Sequence, residues 1–176
     1  MLPLFCIIFV LLLVFLIIRK LPFAIKSHWQ HFYDGIHIST PDFFAQIKAG
    51  LEERKIEGLD FDEESFLETH ILSARRIYLR ISKFEYVFYI SAVPFGTGTF
   101  VSSWMCIKDE NIFNRIPFLS KAMGKDRNNK TFYQMDTESM YQSAIHSVVV
   151  ATADKLTAEQ GQRGLSELEK QIQGNK

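Results

Sequence analysis

The side chains equipped for nucleophilic or acid–base chemistry are few and scattered: His70, Cys106 and His146, with Asp136, Asp154 and several glutamates elsewhere. A cysteine beside a histidine is the smallest apparatus for a thiolate nucleophile, the imidazole taking the thiol proton, so these three are the catalytic candidates of the chain. No glycine-rich nucleophile elbow and no paired-histidine metal motif surrounds them. A hydrolase or transferase is therefore one reading of the sequence, but the chain leans away from an enzyme because its pieces form no constellation. His28, His31 and His37 lie close together, yet only Asp34 is near enough in sequence to help complete a ligand set. No metal and no cofactor is predicted.

The second chemical feature is the stretch Pro94 to Thr99, PFGTGT, in which Gly96, Thr97, Gly98 and Thr99 can expose backbone and hydroxyl donors to an anion. The stretch lacks the lysine and spacing of a P-loop and the three glycines of a dinucleotide fingerprint. A hairpin turn is its ordinary meaning, since glycine supplies turn backbone at no steric cost. The functional alternative is a membrane-tethered sensor of a small ligand, such as a phosphate or nucleotide.

The elements that must carry these residues begin with the least polar part of the chain. Of 176 residues 47% are apolar, but Met1 to Ile18, MLPLFCIIFVLLLVFLII, contains no charge at all. As a helix that run rises about 27 Å, close to the roughly 30 Å of bilayer hydrocarbon, and Arg19 and Lys20 follow at the rim where long basic side chains reach water. The sequence predicts a transmembrane anchor with its flank over 1–25. Arg19, Lys20 and Lys26 all follow the run, and excess Lys and Arg marks the cytoplasmic side, so the amino terminus is expected outside and the rest of the chain in the cytoplasm. Trp29, Phe32 and Tyr33 suit either the membrane interface, which aromatic rings favour, or the first packed residues of the domain. With Arg19, Lys20 and Lys26, Trp29 makes the expected membrane-flanking set. One cysteine falls in the run and the other is Cys106, which gives no disulfide framework and agrees with a reducing compartment.

Residues 26–38 read as a juxtamembrane linker, 39–160 as an α+β domain and 161–176 as a tail or short helix. Ser39-Thr40-Pro41-Asp42 signals a helix start, and Phe43, Phe44, Ile47 and Leu51 recur on its apolar face. Residues 65–72 read as a short helix or an edge strand. Arg76–Ser82, Phe84–Val93 and Thr99–Lys108 predict three strands of an antiparallel meander, with both faces of the second covered. Thr131–Met135 reads as a further short strand, giving three to four in all. A long helix follows, capped by Asp136 or Thr137, with Met140, Ala144, Val148 and Ala151 on one path and Tyr141, Ile145, Thr152 and Leu156 beside it. Leu165, Leu168 and Ile172 predict a final amphipathic helix.

The segment from 109 to 130 reads first as a solvated loop with a satellite core contact; Ile116, Phe118 and Leu119 beside Lys121, Lys125, Arg127 and Lys130 also suit the anionic cytoplasmic leaflet. After Lys20 there remain 18 basic and 20 acidic residues, which does not point to nucleic acid. The combined reading is a single-pass membrane protein whose cytoplasmic domain serves interaction, assembly or an accessory role. Its expected partners are the lipid bilayer and other membrane proteins or copies of itself, with a small molecule as the alternative.

Overall fold

Alternating side chains build the strands of this chain into one antiparallel sheet. The computed structural model describes residues 24–66, 76–108 and 131–174. Its strands are β1 (Ala24–Tyr33), β2 (Asp60–Phe66), β3 (Arg76–Lys83), β4 (Tyr86–Phe95), β5 (Gly98–Ile107) and β6 (Gln173–Gly174). They pair antiparallel in the order β2-β3-β4-β5-β1-β6. Two helices, α1 (Thr40–Glu53) and α2 (Phe132–Glu159), pack on one face. The expected domain of an antiparallel sheet packed by helices is present, with six strands rather than three or four. The run 1–25 lies almost wholly outside the described residues, as do His70, Arg19, Lys20 and the segment 109–130. Among the described residues no helix is long and apolar enough to cross a membrane.

The main core sits between the sheet and the helices. Leu79, Ile81, Phe88, Ile90 and Val101 from the strands meet Phe43, Phe44, Ile47 and Leu51 of α1 and Ile145, Val148, Val149 and Ala153 of α2. The α1 pattern is the one the sequence predicts. On α2 the expected Ile145, Val148 and Thr152 are buried and Tyr141 and Leu156 pack on the core, but Met140 and Ala151 are exposed and Val149 and Ala153 are buried as well. Because successive strand residues point to opposite faces, the neighbours of these core residues form a second, smaller cluster on the other face, Val87, Tyr89 and Cys106 with Tyr78 and Trp104. Both faces of β4 are thus covered along most of its length.

Three sequence expectations are corrected. Residues 26–38 are not a linker, since 24–33 form β1, paired with β5 from Ala24↔Ile107 to Tyr33↔Thr99. Residues 131–135 are not a strand. Thr131 is the N-cap of α2 in a capping box with Gln134, each side chain bonding the other's backbone N–H, which satisfies two donors that a helix start otherwise leaves bare. Asp136 and Thr137 therefore lie inside the helix. The chain after residue 160 forms turns and then β6, not an amphipathic helix, because of its three apolar residues only Leu165 is buried and Leu168 points to water.

Candidate functional site

The sheet separates the two described catalytic candidates. Cys106 stands on the face away from the helices, in the Val87 and Tyr89 cluster. His146 is on α2 and touches Trp29 edge-on, with ring centroids 5.7 Å apart, on the helix-bearing face. The two do not form a dyad. Burial pushes the Cys106 thiol up to about 11, so it stays protonated and is a poor nucleophile at neutral pH. Burial also lowers the pKa of His146, opposed by its bond to the Lys170 carbonyl at 2.6 Å. That bond requires Nε2 to carry a proton, which fixes the ring to the backbone as a donor. A cavity of about 10 Å³ beside it, lined by Ser27, Trp29, Ser103, Gln142 and others, holds one water at most and no substrate.

His146 belongs to a group that ties the C-terminal segment to the domain. Trp29 Nε1 donates to the Glu169 carbonyl at 2.6 Å, and the Leu165 amide donates to Asp154 Oδ1 at 2.9 Å. Lys170 Nζ lies 3.4 Å from Asp154 Oδ2. Ser27 and His28 pair with Gly174 and Gln173. Tyr33 is enclosed in the same region with its ring 4.7 Å from His31, and its hydroxyl is buried without a hydrogen-bond partner. Burial, then the Asp154 and Glu169 carboxylates, raises its pKa. Of the two places expected for Trp29, the membrane interface or the packed start of the domain, it takes the second and is a buried core residue. Lys26 is exposed near the start of β1.

The three histidines considered for metal diverge. His28 stacks on Trp104 on the far face, His31 faces Tyr33, and the His37 backbone is held by the Gln160 side chain through both its N–H and its carbonyl. Among the described residues no group of three or more histidine, cysteine or carboxylate side chains is placed to hold a metal ion.

The PFGTGT stretch is the turn between β4 and β5. Phe95 pairs with Gly98, and Gly96 at the tip has φ +58°, a conformation that favours glycine. Gly98 passes so close to β1 that an added Cβ would collide with the Tyr33 carbonyl oxygen. Both hydroxyls are engaged within the domain. Thr97 Oγ1 donates to Asp34 Oδ1 at 2.7 Å. Thr99 Oγ1, fully buried, donates to the Ile36 carbonyl at 2.8 Å and accepts from the Ile38 amide at 3.0 Å. The threonines latch the hairpin to the β1–α1 connection, and an anion recruited there would compete with those bonds.

What remains open to a partner is surface. A groove of about 630 Å³ runs between α1 and α2, floored by Ala49, Gly50 and Val148 and edged by Glu53, Arg54 and Lys155. On the far face β2 carries an acidic edge, in which Arg80 reaches Glu64 at 2.8 Å and Tyr89 Oη donates to Glu64 at 3.3 Å. Comparison of the chain with family models, curated proteins and solved structures finds no match. The described residues form a small α+β domain, a six-stranded antiparallel sheet with two helices on one face.

Proposed function

We propose that this is a single-pass membrane protein whose α+β domain faces the cytoplasm and serves as an interaction or assembly unit for membrane proteins or further copies of itself. The observation that carries the reading is the uncharged run Met1 to Ile18 closed by Arg19 and Lys20, with β1 beginning at Ala24. A domain held this close to an anchor is confined to a surface, which raises its effective concentration for any partner in the same membrane. The separation of Cys106 from His146 and the absence of a substrate-sized cavity at His146 favour interaction over catalysis. The engaged hydroxyls of Thr97 and Thr99 give the ligand-sensor alternative no particular support.

Carbonate extraction with protease protection tests the anchor and its orientation. The chain should stay with the membrane fraction, and protease added to the cytoplasmic side should degrade the domain. Recovery in the soluble fraction, or protection on that side, refutes the reading. Crosslinking in native membranes tests association, and only uncrosslinked monomer would count against an assembly role.

A further inference from the structure

The strand register fixes which end of the domain meets the end of the apolar run. Ala24 of β1 pairs with Ile107, Ile107 with Tyr86, Lys83 with Tyr86, and Asp60 with Ser82, so these residues share one end of the sheet. Helix α2 starts at the same end, because Tyr86 Oη donates to the Gln134 carbonyl and Tyr141 packs on Tyr86 and Phe84. Lys20 and Ala24 are four residues apart in sequence, which places their Cα atoms within about 14 Å of each other. If the run spans the bilayer, this end lies against the headgroups and the opposite end, with Phe95 and Gly98, points away.

That end carries a largely exposed apolar surface. Phe84 is 68% exposed, Phe132 84%, Tyr133 79% and Met140 70%. None of the residues from Phe132 to Met140 is buried, and the first core residue of α2 is Ile145. These nine residues rise about 13 Å, close to the reach allowed between Lys20 and Ala24. Phe84 forms the tip of the β3–β4 hairpin with φ +54°, a backbone region uncommon for a bulky side chain. Glycine would fit that position with less strain, so an exposed phenyl ring there is unfavourable twice over. Phe84 meets Tyr141 edge-on and has Lys83 Nζ 4.9 Å from its ring centroid, yet stays largely exposed; at the opposite end Phe32 pairs with Phe95, and Phe66 with Tyr78 and Tyr89.

We infer that Phe84 and the first turns of α2, through Phe132, Tyr133 and Met140, form a second membrane contact that seats the domain in the headgroup region of the same bilayer. This rests on the anchor reading. Among the described residues at this end, Lys26, Lys83 and Lys108 are outnumbered by Glu57, Asp60, Glu85, Asp136 and Glu138. Apolar and aromatic burial at the interface is the driving term, and neutral phosphatidylcholine suffices as the partner. The contact fixes the orientation of the domain, leaving the groove between α1 and α2 to face protein partners in the plane above the membrane.

The test uses the full chain with Cys6→Ala, reconstituted in phosphatidylcholine vesicles, with an environment-sensitive fluorophore on one introduced cysteine: Phe84→Cys, Tyr133→Cys or Phe95→Cys. Cys106 is buried and protonated and does not compete for the label. All three positions are exposed, so no core side chain is lost, and the thermal transition of each labelled sample verifies its fold. Labels at 84 and 133 should be blue-shifted and quenched by headgroup-spin-labelled lipid, with no effect of added salt, while 95 stays unquenched. Carbonate-resistant chain in which 84 and 133 are as water-exposed as 95 overturns this inference and leaves the anchor standing. Quenching at 84 and 133 by a second labelled copy instead of by lipid overturns it in favour of self-association. Extraction by carbonate overturns the anchor and this contact together.

Discussion

Replacing Tyr33 with phenylalanine should stabilise the protein. The Tyr33 side chain is almost wholly buried, and its hydroxyl is enclosed without a partner. A buried polar group left unpaired costs about 1–3 kcal/mol of desolvation, while the ring and its edge contact with His31 survive the change. The expected gain is about 1 kcal/mol. For a chain of this size that corresponds to a rise of roughly 2–4 °C in the thermal midpoint. The measurement is thermal unfolding of the detergent-solubilised full chain followed by circular dichroism. A pH arm sharpens it. The pKa of Tyr33 is raised by burial and by Asp154 and Glu169, so above about pH 10 the unfolded chain releases a proton that the folded chain keeps. The folded state then binds more protons, stability falls as pH rises, and the variant lacks this part of the loss. The advantage of Tyr33→Phe should therefore widen above about pH 10. An unchanged or lowered midpoint near neutral pH would refute the reasoning, because it would mean that the hydroxyl is bonded in the folded protein.

Three further outcomes follow from the same geometry. Thr99→Val keeps the shape of a fully buried side chain but strands the Ile36 carbonyl and the Ile38 amide, at about 2–4 kcal/mol in chemical denaturation; a loss below about 1 kcal/mol would show that the hairpin latch matters little. Cys106, with its thiol pushed up to about 11, should resist iodoacetamide at pH 8 in the Cys6→Ala chain and react only in denaturant; alkylation of the folded protein at the rate of a free thiol would contradict its burial. Burial lowers the pKa of His146, so as pH falls below about 6.5 the unfolded chain takes up a proton that the folded chain does not, and stability declines. His146→Gln, which keeps an amide donor for the Lys170 carbonyl, should remove that part of the acid slope, and an identical pH–stability profile in both chains would rule the linkage out.

The legible parts of this sequence were those in which one element states its own periodicity. Phe43, Phe44, Ile47 and Leu51 mark a helix face without help from the rest of the chain, and the alternation in Arg76–Ser82 marks a strand in the same way. The strand β1 did not announce itself. In AIKSHWQHFY, a bulge between Ile25 and Ser27 breaks the register, and polar residues occupy both faces. What makes it a strand is distant: β5 pairs along its whole length, His28 stacks on Trp104, and Trp29 and Tyr33 enter the core. The C-terminal segment failed for a related reason. Leu165, Leu168 and Ile172 have helical spacing, but one buried leucine does not offset the entropy of ordering a short helix. The segment is held instead through bonds from Trp29 and His146 to the carbonyls of Glu169 and Lys170. A carbonyl is the same at every residue, so the receiving half of these bonds leaves no mark in the sequence. The donors do leave one, a tryptophan and a histidine among polar neighbours, and both invite a membrane or catalytic reading until their partners are seen. The hydroxyls of Thr97 and Thr99 follow the same rule, since the atoms that engage them belong to Asp34, Ile36 and Ile38, more than sixty positions earlier.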